Sequence, residues 1–104
     1  MISLKQLHYA LAVEHTLHFK RAAEECAVSQ SALSSALAEM ERQLGFQVFE
    51  RDNKKVLVTT LGRQMLDKAR QIKLQVEELH LLAEQVRRPL SSRLSIGMIP
   101  TVGP

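Results

Sequence analysis

Residues 19–45 read FKRAAEECAVSQSALSSALAEMERQLG, and this stretch decides the fold. Phe19, Ala22, Ala23 and Cys26 fall at i, i+3, i+4 and i+7, one face of a short helix. The small side chains of Ala22 and Ala23 let a second helix approach closely. Ala27-Val28-Ser29-Gln30 interrupts the pattern, and either Ser29 or Ser31 can cap the next helix. Leu33, Leu37, Met40 and Leu44 then return at helical spacing as a single apolar stripe. Gly45 comes next, a residue that accepts the left-handed conformation in which helices end. Two short helices joined by a turn of about four residues form the helix-turn-helix pattern.

Working outward, Leu4, Leu7, Ala10 and Leu11 predict an earlier amphipathic helix over residues 3–15, with Ser3 as its cap. Thr16-Leu17-His18 breaks it. On the other side, Val48-Phe49 and Val56-Leu57-Val58 are short β-prone runs around a polar segment, Glu50 to Lys55. They predict a hairpin, and a hairpin placed directly after a helix-turn-helix is a wing. Arg51, Lys54 and Lys55 are expected at its tip. Thr59 or Thr60 can cap the fourth helix.

That helix carries the clearest periodicity of the chain. Met65, Ala69, Ile72, Val76, Leu79, Ala83, Val86 and Leu90 are separated alternately by four and three residues, an a/d heptad seam. Leu66, Leu74, Leu81 and Leu82 widen it. From Thr60 to Arg88 the helix spans roughly 40–45 Å at about 1.5 Å per residue. A preceding domain of about 60 residues is too small to cover such a stripe, so a second copy is expected to cover it. The alternative is that the stripe folds back on its own domain.

Pro89 stops the helix, and Ser91-Ser92 reads as a linker. Leu94, Ile96 and Met98 alternate with Ser95 and Gly97 as one buried strand. A lone strand is not a domain. The expected organisation is therefore a winged domain over 1–59, a linker and dimerisation helix over 60–88, and over 89–104 a hinge with the first strand of a further domain. The fold class is mainly α: three helices and a hairpin wing, then a long helix.

Composition narrows the function. The chain has 104 residues, 45% of them hydrophobic and 24% charged, a globular balance. No apolar run approaches the roughly 18 residues of a membrane span, and the N-terminus lacks the order of a signal peptide. A cytoplasmic, nucleoid-associated protein is expected. The single cysteine, Cys26, excludes an intrachain disulfide and a cysteine-rich zinc site. At a core-facing position it reads as a small core residue. His15 and His18 are an i, i+3 pair without a third ligand. No phosphate loop, nucleophile elbow or paired-carboxylate motif is present. Neither an enzyme nor a bound cofactor or metal is expected.

The net charge of +3 is compatible with a nucleic-acid partner. It is unevenly placed. Residues 1–60 hold seven basic and seven acidic side chains, whereas residues 61–104 hold seven and four. A phosphate-binding surface in the first half must come from local clusters, Lys20-Arg21 and Arg51 with Lys54-Lys55. Ser29, Gln30, Ser31, Ser34 and Ser35 gather near the start of the third helix. Glutamine can bond adenine through both amide groups, and serine can bond base edges or phosphates. The same serines would also serve as caps or as solvent-facing polar residues.

Phe19-Lys20-Arg21-Ala22-Ala23, Val28 to Ser34, Glu41, Leu44-Gly45, Val48 to Arg51, and Thr59 with Gly62 resemble, in order and spacing, the N-terminal domain of LysR-type transcriptional regulators. The resemblance covers residues 1–88. It implies a bacterial regulator that binds double-stranded DNA at a pseudo-palindromic operator. It also implies a homodimer formed through the long helix, often assembled into tetramers in the longer protein. Leu94 to Thr101 is similar to the first strand of the family's effector domain. Val56-Leu57 and Ile99 to Pro104 are similar to its peroxide-responsive members.

By position, the resemblance places Gln30, Ser31 and Ser34, with neighbouring Ser35, in the major groove. It places Arg51 on the backbone or minor groove. Lys20, Arg21, Ser29, Lys54, Lys55 and Thr59 or Thr60 become backbone contacts. Ser31 replaces a proline common in the family, and Ser35, Ala36, Ala38 and Glu39 occupy a stretch often basic there. Greater reliance on the wing and on DNA shape is expected. The rival reading is a coiled-coil dimerisation or adaptor module that does not read DNA.

Overall fold

The computed structural model describes residues 1–52 and 55–87. Lys54, Leu90 and the expected hinge and strand over 89–104 lie outside the described residues. The elements are α1 (Leu4–Thr16), α2 (Phe19–Glu25), α3 (Gln30–Leu44), β1 (Phe49–Asp52), β2 (Lys55–Val58) and α4 (Thr60–Arg87). The chain divides into two compact units, one from Met1 to Lys73 and one from Leu74 onward, so the division falls inside α4.

In the first unit, each helix start has an identifiable cap. The Ser3 hydroxyl accepts from the Gln6 N–H at 3.1 Å, and the Gln6 side chain accepts from the Ser3 N–H at 2.9 Å. The Gln6 amide also donates to the Ala36 carbonyl at 3.2 Å, which ties α1 to α3 and satisfies a buried polar group. At the end of α1, Leu17 turns left-handed at φ +54°, and its N–H donates to the Val13 carbonyl. Next, His18 caps α2, its Nδ1 accepting from the Arg21 N–H at 3.2 Å. Histidine is an uncommon cap, and the residue pattern alone does not assign it.

The turn between α2 and α3 uses Cys26 to Ser29, with Ala27 at φ +59°. Of the two candidate serines, Ser29 is the cap: its hydroxyl accepts from the Ala32 N–H at 3.1 Å. Gly45 closes α3 at φ +84°.

The wing strands are longer than the β-prone runs predict. β1 and β2 pair antiparallel with Phe49 opposite Val58, Arg51 opposite Val56 and Asp52 opposite Lys55. Arg51 and Lys55 therefore lie in the ladder rather than in the tip. The pairing reaches Asp52 and Lys55, so the strands extend into the polar segment. The Glu41 carboxylate accepts from the N–H groups of Val48 and Phe49 at 2.8 and 3.1 Å, fixing the start of the wing to α3.

The start of α4 packs against the same loop. The Thr59 hydroxyl accepts from the Gly62 N–H at 2.8 Å and donates to the Gln47 carbonyl at 2.6 Å. A Cβ at Gly62 would come within 2.3 Å of the Val48 carbonyl oxygen, so only glycine allows this approach. The core gathers Val13 from α1, Leu33 and Met40 from α3, Val48, and Leu66 from α4, all fully buried. Ala69 joins them at 1% exposure, and Met65 packs partly against them. The heptad spacing puts both residues in the dimer seam. The structure instead buries Ala69 in its own domain, because the first turns of α4 lie over the domain core. Arg70 pairs with Glu14 of α1 at 2.5 Å and with Asp67. These are surface contacts worth little individually.

The second unit begins at Leu74 and contributes the later turns of α4. Among its described residues, the large apolar side chains Leu74, Leu79, Leu81, Leu82 and Val86 are exposed, whereas Val76 is half-buried.

Candidate nucleic-acid interface

The burial pattern of α3 assigns its faces. Leu33, Leu37 and Met40 are buried, while Gln30, Ser31 and Ser35 are exposed and Ser34 is half-buried. Gln30 is the first helical residue, placed there because Ser29 caps. The Ser29 hydroxyl lies 3.3 Å from that of Ser31 and is engaged in the cap, so only part of its bonding capacity faces outward.

A cleft of about 180 Å³ opens beside this helix start, lined by His18, Phe19, Lys20, Gln30, Arg51, Lys55 and Val56. It brings together side chains from α2, α3, β1 and β2 that lie in separate segments of the sequence. Lys20, Arg51 and Lys55 supply three cations around one glutamine. Arg21 is exposed on α2 but does not line the cleft. The guanidinium carbon of Arg51 sits 4.0 Å from the centroid of the Phe19 ring. That ring meets Phe49 edge-on, with centroids 6.3 Å apart and planes at 88°.

Thr59 and Thr60 lie elsewhere. They line a second opening of about 630 Å³ with Glu14, Leu17, Glu50 and Arg63, among others. The Thr59 hydroxyl is already committed to Gln47 and Gly62. An apolar groove of about 580 Å³ runs between α1, the loop after α3 and the start of α4, where Leu4, Leu44, Phe46, Leu61 and Ile72 line it.

Cys26 is half-buried, and burial pushes its thiol upward, with the Glu25 charge adding and Lys73 opposing. The hydrogen bond to Glu14 holds the Arg70 guanidinium still more firmly protonated. Among the described residues, no group of three His, Cys, Asp or Glu side chains could hold a metal, and no helix is long and apolar enough to cross a membrane.

Two members of the cleft carry no distinct signal in the sequence. His18 reads there only as one of a scattered pair, and Phe19 only as an apolar-face residue. The neighbouring cations at 20 and 21 are the one pointer to both, because they form one of the two basic clusters of the first half.

Residues 4–63 match the model of the bacterial regulatory helix-turn-helix proteins of the lysR family. The DNA-binding transcriptional dual regulator OxyR of Escherichia coli K12 is 40% identical over 103 residues, 99% of this chain and 34% of that protein. The HTH-type transcriptional regulator EstR of Acinetobacter baylyi is also 40% identical, over 98% of this chain and 34% of that protein. The chain thus spans about a third of the length of the curated relatives it matches. Among solved structures, the CbnR_DBD-DNA complex superposes with a TM-score of 0.76 at 26% identity, covering 83% of this chain and 99% of that one.

Proposed function

Because the chain belongs to the lysR family of bacterial regulatory helix-turn-helix proteins, we propose that it binds double-stranded DNA sequence-specifically as part of a dimeric transcriptional regulator. The observation that carries this reading is the cleft where Gln30, at the start of α3, meets Lys20, Arg51 and Lys55. Gln30, Ser31, Ser34 and Ser35 read base edges in the major groove. Lys20, Arg51 and Lys55 hold phosphates, and Arg21, Lys54 and Thr60 extend the backbone contacts. Thr59 serves chiefly to fix α4 to the wing.

Two recognition helices are needed to read a pseudo-palindromic operator. The apolar residues Ile72, Leu79 and Val86 of α4, exposed in a single chain, supply the pairing surface for a second copy. Ile72 also lines the apolar groove of the first unit, beside Leu61. The regulator is placed in the cytoplasm. We assign it no catalytic step and no cofactor. We assign no peroxide response, since EstR is as similar to this chain as the hydrogen peroxide-inducible genes activator of Escherichia coli O157:H7.

A titration of duplex DNA at about 50 and 200 mM salt tests the reading. Binding that weakens steeply at the higher salt is expected, because each phosphate contact releases counterions. Absence of binding, or binding indifferent to salt, would leave the adaptor reading in its place.

A further inference from the structure

Arg51 is exposed, and among the described residues its guanidinium has no carboxylate or carbonyl partner. Its neighbour is the face of Phe19, 4.0 Å away. A cation over an aromatic face is attracted by the negative potential of the ring. The ring itself is anchored: Phe49, only 5% exposed, holds it edge-on. Over the ring, the guanidinium N–H groups have no carboxylate or carbonyl to hold among the described residues, so they stay available as donors. These are the donors that grip a phosphate in a forked pair.

Resting on the DNA-binding reading, we propose that Phe19 is a positioning residue. Its ring holds Arg51 in the DNA-gripping orientation at the cleft shared with Gln30, so that wing and recognition helix engage DNA as one pre-ordered unit. Phe19 itself touches no base or phosphate. It acts by removing part of the ordering cost that a free arginine side chain would incur on binding. Phe19 is the first residue of α2 and Gln30 the first of α3, so the His18 cap places the platform for Arg51 and the Ser29 cap places Gln30.

The test replaces Phe19 in the chain with phenylalanines carrying one, two and three ring fluorines. Fluorine withdraws charge from the ring face while nearly keeping its shape, so packing against Phe49 is largely preserved. Affinity is measured for a duplex selected by the unmodified chain, at two salt concentrations. Affinity should fall stepwise with fluorination, by about two- to fivefold in total. In an Arg51→Ala background the same series should be flat. A flat series with Arg51 present, a rise in affinity on fluorination, or an equal fall in both backgrounds would each overturn the platform. Failure of the unmodified chain to bind any duplex in a salt-dependent way would instead remove the DNA reading itself, and the platform with it.

Discussion

Helices α3 and α4 each carry a single apolar stripe, yet the stripes meet different surfaces. On α3 the stripe is covered within its own domain: Leu33 is 0% and Leu37 3% exposed. On α4, Leu66 and Ala69 are covered in the same way, but Ile72, Leu79 and Val86 are 43%, 64% and 73% exposed. Periodicity reports that a face is apolar; the extent of the neighbouring domain decides what covers it. The outer face of α3 is therefore left exposed, and the later turns of α4 leave an apolar face exposed.

The largest expected effect separates the two stripes. Leu33→Ala should lower the unfolding free energy by about 2–5 kcal/mol in a denaturant titration, since it opens a cavity in the core. Leu79→Ala, measured at concentrations too low for pairing, should change it by about 0.5 kcal/mol or less. Equal costs would erase the difference between the helices. Next in size, Leu79→Asp should weaken pairing by roughly 2 kcal/mol or more, because a carboxylate would be left without a partner in an apolar seam. Sedimentation should then show monomers with their helical content intact, whereas a persistent dimer would place the pairing surface elsewhere.

The remaining two variants sharpen the recognition side. Gln30→Ala should cost about 1–3 kcal/mol on a selected site and little on random duplex. An equal loss on both would mean that Gln30 reads no base. Arg51→Ala should weaken binding to all sequences and reduce the salt slope by about one. A slope unchanged by the substitution would take Arg51 off the phosphate.

Much of this architecture is legible in sequence because it rests on local rules. The spacing of Leu33, Leu37 and Met40, the glycine at 45 and the serine caps each depend on residues a few positions apart. Gln30 and Lys20 likewise stand out by their place beside a predicted helix start. The features that sequence does not show depend on contacts between distant segments. No local signal says that Glu41 grips the N–H groups of Val48 and Phe49, or that Thr59 reaches the Gln47 carbonyl. The contact of Arg51 with the Phe19 ring joins residues of β1 and α2. Ala69 fits the heptad as well as Ile72 does, and only the path of α4 over the core assigns it inward.

The most direct measurement is a footprint on sequences selected by the chain from a random duplex pool, combined with the stoichiometry of the bound complex. Two chains on an inverted pair of half-sites are expected, with centres one helical turn or a multiple of it apart, about 10.5 base pairs each. A single chain protecting one half-site as strongly as the pair would contradict the division of labour between α3 and α4.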